Sequence, residues 1–305
     1  MSFVLISDPH CNLHDVGDDH PENPARLYAI NDRLIASGLD FVIDKQQAIK
    51  ATKEQLYLAH DKTYVDKVFT MAPQQGSIEI NTDTFMMPQS LDAALYAAGA
   101  NILAVDLVMQ GDAEQVFCAV RPPGHHAEHA QAMGFCIFNN IAVAGAYAMA
   151  QYGLERIAII DFDVHHGNGT ENIFFNDERV LFCSSFASPC FPYDVGPGNA
   201  HILNLPLPIG TYGDEFMQAI SEQWLAKLDA FAPQLILISA GFDGHYEDIM
   251  GQFNLVETDY HWLTVELKKL AVKHCGGKII STLEGGYALS ALGRSVTVHI
   301  KGMME

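Results

Sequence analysis

Six short runs of apolar, largely β-branched or aromatic residues punctuate the chain: FVLIS (3–7), QVFCAV (115–120), RIAIIDF (156–162), RVLFCSSF (179–186), QLILISA (234–240) and KIISTL (278–283). They do not alternate apolar with polar, so both faces of each need cover, which is the pattern of strands inside a parallel sheet. Longer helix-like stretches separate them, at 24–37, 52–72, 89–110, 139–152, 213–231 and 258–275. Pro24 after Asn23 suits the start of the first of these. Strands that alternate with helices predict an α/β chain whose mostly parallel sheet carries helices on both faces. No linker rich in Pro, Gly or Ser interrupts residues 1–305 and no repeat recurs, so one domain is expected.

The polar residues then fall at informative places. In open α/β sheets ligands bind outside the carboxyl ends of the strands. RPPGHHAEH follows QVFCAV, DFDVHHGNG follows RIAII, SSFASPCFP follows RVLFC, AGFDGHYED follows QLILIS, and LEGGY follows KIIST. Five strand ends therefore deliver polar or Gly-rich segments to one edge, where a shared site would form.

Asp163 and His165 are two apart and lie on one side of an extended segment. Both can reach one ion, and Asp243, at another strand end, is the natural third ligand. Catalytic zinc takes three protein ligands and keeps one position open. Two carboxylates and an imidazole would also suit iron or cobalt. Asp161 shares their face and reads either as a fourth ligand or as a carboxylate that holds an imidazole. His166 points the other way and reads as a structural histidine. A solvated loop is the competing reading of the whole cluster.

The tandem His125–His126 follows a Pro-Pro-Gly turn. Adjacent imidazoles repel when both are charged, so their pKa values separate and one can serve as a base. Tyr287 follows two glycines, and its hydroxyl could donate to a developing oxyanion; packing is the plainer role for such a tyrosine.

The formal net charge is −20. That argues against non-specific nucleic-acid binding, which rests on Lys and Arg neutralising phosphates; such a field favours cationic substrates, with general solubility or adaptation to salt as the competing reading. No window approaches 18 consecutive apolar residues, so no membrane span is expected. MSFVLISDPHC lacks the basic and long apolar regions of a signal peptide. The six cysteines form no CxxC pair and read as reduced, mostly buried thiols. A cytoplasmic location is the expectation.

HPENPAR (20–26), RPPGHHA (121–127), GFCIFNN (134–140), DFDVHHGNGT (161–170), AGFDGH (240–245) and LEGGY (283–287) occur in this order. Together they resemble the zinc-dependent histone deacetylase family, whose wider superfamily includes acetylpolyamine amidohydrolases and bacterial deacetylase-like amidohydrolases. The HPENPAR start, Asn168 and LEGGY look like its class II branch. The resemblance implies the arginase–deacetylase fold, a central sheet of about eight strands flanked by helices.

It also implies roles. Asp163, His165 and Asp243 match the zinc ligands. His126 matches the general base and later acid, with Asn168 at its far nitrogen. His125, held by Asp161, matches the second histidine, and Tyr287 the tyrosine that polarises the amide carbonyl. Phe135 and Phe191 match the two aromatics that wall the tunnel, beside Gly134, and Asp83 falls near a rim residue that orients substrate backbone. Asp161, Asp163, His165, Ser184 and Ser185 match an inner potassium site. Phe174, Asp177, Val180 and His201 match an outer one.

The implied reaction is hydrolysis of an acetyl or related acyl group from the ε-amine of lysine in proteins or peptides, releasing acetate. The stretch from Tyr64 to Arg121 lacks the long insertion that resembles the dimer-building loop of dedicated acetylpolyamine enzymes, which favours acetyl-lysine. The acidic balance keeps acetylated polyamines as the alternative substrate. A two-manganese ureohydrolase of the arginase type would need extra aspartates that DFDVHHGNG does not offer. A non-catalytic acetyl-lysine binder is disfavoured by the intact Tyr287, His126 and ligand set.

Overall fold

All six apolar runs form strands of one sheet. The computed structural model describes residues 3–17 and 19–305. The strands are β1 (Phe3–Ser7), β2 (Asp44–Gln47), β5 (Gln115–Cys118), β6 (Ile157–Asp161), β7 (Val180–Ser188), β8 (Ile202–Pro208), β9 (Leu235–Ala240) and β10 (Ile279–Leu283). Their order is β2-β1-β5-β10-β9-β6-β7-β8 and every pairing is parallel. The eight-stranded α/β sheet is thus wholly rather than mostly parallel. A separate antiparallel pair, β3 (Ile78–Asn81) and β4 (Thr84–Met86), carries Asp83 in its turn.

Two layers of helix cover the sheet. On one face α4 (Ser90–Gln110) packs on β1, β5 and β10, and α5 (Asn140–Tyr152) packs on α4 and β9. On the other lie α1 (Ala25–Ser37), α9 (Glu257–Cys275) and α10 (Leu289–Met304), with α10 against β5 and α9 against β9. The central strands β5, β6, β9 and β10 are buried at every position, as their unbroken apolar runs require.

By length and composition α4 could cross a membrane: its most apolar 18-residue window has a mean hydropathy of 1.5. That apolarity faces the interior, with 67% of the window buried. Gly99 lets the chain at Ile49 cross against it, where a Cβ would overlap the Ile49 carbonyl oxygen. Asn101 Nδ2 reaches Thr282 Oγ1 of β10 at 3.2 Å.

Several elements depart from the sequence expectation. The stretch 52–72 is two helices, α2 (Lys53–Leu56) and α3 (Lys62–Met71). Asp61 restarts the helix by accepting from Tyr64 N at 3.0 Å. The turn between them buries His60, which accepts from Asn139 N at 2.9 Å. Residues 213–231 run on as α7 (Gly213–Ile220), a π-helical turn (Ser221–Leu225) and α8 (Ala226–Phe231). The unanticipated strands β2 and β8 are the sheet's two edges. β2 reads DKQQ and is exposed throughout, and β8 contains Pro206 and Pro208, which an edge tolerates. The remaining helix, α6 (Asn168–Phe174), starts inside the HHGNG motif.

Candidate active site

The carboxyl ends of β5, β6, β9 and β10 bring the predicted residues together. Nδ1 of His165 lies 3.0 Å from Asp163 Oδ1 and 3.2 Å from Asp243 Oδ2. Ligand atoms of these three residues all lie within 4.8 Å of one another. Backbone amides fix the carboxylates: Gly285 N donates to Asp163 Oδ2 at 2.8 Å and Val164 N to Asp243 Oδ1 at 3.0 Å. Gly241 and Gly285 make room, because a Cβ at either would overlap the carboxylate of Asp163 or Asp243.

The triad fits one divalent cation. Among the described residues the buried Asp243 Oδ2 accepts no well-aligned hydrogen bond, only the 3.2 Å approach of His165 Nδ1, although buried polar atoms are rarely left unsatisfied. Bonds of about 2.0–2.2 Å around a tetrahedral ion set its ligands roughly 3.3–3.6 Å apart, and the two contacts of His165 Nδ1, at 3.0 and 3.2 Å, need to open only slightly to admit it. The electrostatics agree. Burial, then the Asp163 charge, pushes Asp243 up to about 6. Burial works against a charged His165, yet the Asp163 and Asp243 carboxylates hold it well above the usual imidazole range. The pocket of oxygen atoms attracts positive charge.

The histidine pair separates as like charges demand. The rings of His125 and His126 lie 3.9 Å apart. His125 Nδ1 is 2.9 Å from Asp161 Oδ2; burial opposes its charged form, but Asp161 and Asp163 outweigh burial and raise it to about 10. His126 is lowered well below the ordinary value by burial and by the charges of His125 and His165. Its Nδ1 meets Asn168 Oδ1 at 2.8 Å, so Nδ1 carries the proton and Nε2 keeps its lone pair. Asp161 thus resolves into the partner of His125. His166 is satisfied on both nitrogens, by Ser184 Oγ at 2.9 Å and Glu171 Oε2 at 2.7 Å.

His126, His165 and Tyr287 border a cavity of about 240 Å³ whose other lining residues are Phe135, Phe191, Gly134, Asp83 and Met250. The Phe191 ring stands edge-on to His126 at 5.0 Å, and Phe135 edge-on to Tyr287 at 6.5 Å. Gly134 and Phe135 both have left-handed backbone, φ 57° and 68°. A Cβ on Gly134 would overlap the His126 ring. Asp83 Oδ1 accepts from Gly134 N at 3.0 Å, and Thr84 Oγ1 accepts from Phe135 N at 3.2 Å, so the β3–β4 turn secures this wall.

Several residues that position the site were not read from the sequence. Glu22 of HPENPAR is buried and binds Arg121 through both oxygens and Arg26 Nη1 at 3.1 Å. Arg26 in turn donates to the carbonyls of Glu284 and Gly286, with its guanidinium 4.9 Å from the Tyr287 ring centroid. Asp248 Oδ2 accepts from the amides of Tyr287 at 2.5 Å and Ala288 at 2.8 Å. Glu284 Oε2 accepts from Gly124 N at 2.7 Å and His125 N at 3.1 Å; burial pushes its carboxyl up to about 7. The signal for Glu22 and Arg26 was present, since charges in a short motif with no ligand role are candidates for buried pairs. Nothing local marks Met250 or Asp248.

The residues matched to potassium sites also gather. Ser184 lies beside Asp161 in the sheet, opposite it in register, and the neighbouring Ser185 hydroxyl is buried without a hydrogen-bond partner among the described residues. At the second cluster Phe174 O accepts from Asp177 N, Asp177 O from Val180 N, and Val180 O lies 3.0 Å from His201 Nδ1.

Comparison with known proteins follows this geometry. A family model described as the histone deacetylase domain matches residues 20–303. The chain is 34% identical over 356 residues to a protein of Dictyostelium discoideum named type-2 histone deacetylase 2; the match covers 99% of the chain but 21% of that much longer relative. It is 36% identical over 277 residues to the histone deacetylase-like amidohydrolase of Pseudomonas aeruginosa, covering 88% of the chain and 73% of the relative. The solved HDA15 HD domain superposes with a TM-score of 0.93 at 33% identity, covering 99% of the chain and 88% of that domain.

Proposed function

The chain belongs to the histone deacetylase family and is an enzyme of its deacetylase and amidohydrolase kind, and from that premise we propose that it is a zinc-dependent deacylase of ε-acetyl-lysine in peptides or proteins, releasing acetate. The observation that carries this reading is the placement of His126. His126, its Nδ1 engaged by Asn168, lines the largely apolar cavity together with His165 of the Asp163–His165–Asp243 triad.

Zinc held by Asp163, His165 and Asp243 would polarise the amide carbonyl and lower the pKa of a water molecule. The chain's own groups do the rest. Phe135 and Phe191 hold the uncharged aliphatic stem of an acylated lysine, and Met250 extends the apolar wall. The Asp83 carboxylate faces the same cavity, able to accept from the substrate's backbone amides. As water attacks, His126 Nε2 takes its proton, which suits an imidazole kept neutral. The Tyr287 hydroxyl donates to the carbonyl oxygen as charge develops there. His125, charged and braced by Asp161, adds a fixed positive field. When the C–N bond breaks, His126 returns the proton to the departing amine.

We assign potassium, one or two ions, to the clusters of Asp161, Asp163, His165, Ser184 and Ser185 and of Phe174, Asp177, Val180 and His201; the unpartnered Ser185 hydroxyl supports the first. Acetylated polyamines are a second substrate class, favoured by the net charge of −20 and by Asp83 in the cavity wall.

The test compares acetyl-lysine peptides, a longer-acyl lysine peptide, acetylputrescine and acetylspermidine, with the enzyme chelated and then reloaded with zinc. The expectation is zinc-restored acetate release, fastest on the acetyl-lysine peptides. Metal-independent turnover, or faster polyamine turnover, would reject the corresponding part of the proposal.

A further inference from the structure

Asn168 is bonded at both ends of its amide, and the far end leads out of the site. Its Oδ1 meets His126 Nδ1 at 2.8 Å. Its Nδ2 donates to Glu128 Oε1 at 2.9 Å and faces the His126 carbonyl and Met133 Sδ, each at 3.4 Å. Each of these three partners is an acceptor. An amide can turn end for end at little intrinsic cost, and if this one turned, its NH2 would face His126 Nδ1. That nitrogen would then have to accept, the ring proton would sit on Nε2, and the base would lose its lone pair.

Glu128 stops this. A carboxylate only accepts, so the turned amide would set Oδ1 against Oε1 at hydrogen-bond distance. Glu128 itself is fixed: its N donates to Gln131 O at 2.9 Å, its O lies 2.9 Å from His60 Nδ1, and Gln131 Nε2 donates to Oε2 at 3.2 Å. Glu128 and Asn168 also line a second cleft, of about 360 Å³, together with His166, Glu171, Asn172 and Asp194. That cleft does not include His126, so Glu128 touches neither the substrate cavity nor the reacting atoms.

We propose that Glu128 is a positioning residue that selects the catalytic tautomer of His126 by fixing which end of the Asn168 amide faces it. The inference rests on His126 being the base of the proposed reaction.

The test is Glu128→Gln, whose side chain can donate as well as accept and so tolerates either amide orientation. With an acetyl-lysine peptide, kcat should fall about 10- to 100-fold, up to the lower end of what general-base catalysis contributes because only part of the His126 population changes tautomer, while KM stays within about twofold. The 15N signals of His126, assigned by difference from His126→Ala, should lose the pure Nδ1–H pattern of the wild type. The double variant E128Q/N168D should recover both, because a carboxylate at 168 can only accept, from His126 on one side and from the new amide on the other. A wild-type kcat with an unchanged tautomer in E128Q overturns the proposal. So does a loss of kcat without a tautomer change, or a double variant no better than E128Q. If E128Q does not fold, the tautomer in Glu128→Ala decides: without the carboxylate the pure Nδ1–H pattern should be lost, and its retention overturns the proposal. If the tautomer responds but no acyl substrate is turned over, the proposed reaction fails and the positioning role stands.

Discussion

Replacing Glu22 by Gln removes one negative charge and almost no volume from the buried junction that joins HPENPAR to the active-site loops. Glu22, Arg26 and Arg121 are each fully buried, so two guanidiniums would lose the anion they share, while His14, whose Nε2 lies 3.7 Å from Oε2, loses a neighbour. Breaking a buried ion pair from one side costs about 3–5 kcal/mol. The carboxyl itself gives a second estimate. Burial alone would raise it, but Arg121, then Arg26, pull it from 4.5 down to about 2. At 1.36 kcal/mol per pKa unit that is about 3 kcal/mol. Unfolding entropy of about 2.1 cal/mol/K per residue makes roughly 0.64 kcal/mol/K for a chain of 305, so E22Q should melt about 5–8 °C lower.

Calorimetry on both proteins with metal chelated measures this without ligand linkage. The sign with pH is set by the lowered pKa: the Glu22 contribution is complete above pH 4.5 and is lost as pH falls towards 2. The gap between wild type and variant should therefore narrow below pH 4.5. Activity should fall as well, chiefly in kcat, because Arg26 holds the Glu284 and Gly286 carbonyls and lies over Tyr287. A variant that melts within about 1 °C of wild type, with a gap independent of pH, would refute the reasoning.

Three further outcomes are expected. Asp163→Ala should abolish metal retention by elemental analysis together with activity; full activity without metal would remove the zinc reading. Tyr287→Phe should cost about 10²–10³ in kcat, the size of losing one oxyanion donor, and near-wild-type turnover would remove its role. Gly134→Ala should lower stability by about 1–3 kcal/mol, since it places a side chain at φ 57° against the His126 ring, and should reduce kcat more than tenfold; unchanged kinetics would mean the wall can yield.

The site was legible to the extent that its residues sit at predictable points of predictable elements. DFDVHHGNG lies at the end of β6 and AGFDG at the end of β9, and apolar runs that need cover on both faces announce such strands locally. The edge strands were not legible, because β2 buries nothing and β8 carries two prolines, so neither leaves an apolar run to read. The two-residue step from Asp163 to His165 put both on one side, as the structure has them, but left Asp161 with two roles. The family resemblance pointed to the partner of His125, and the 2.9 Å contact between the two places it there.

By itself the sequence determined the parallel α/β architecture and the strand ends that carry the polar segments. It did so because burial period and strand-end position are local properties of a chain. What only the tertiary structure decided were the long-range pairings that give those residues their working states. Glu22 meets Arg121 across 99 positions, Asp248 reaches the Tyr287 amide across 39, and Glu128 meets the far end of the Asn168 amide across 40. Each sets a charge, an orientation or a tautomer, and those depend on which groups share a desolvated space, which no short stretch of sequence specifies.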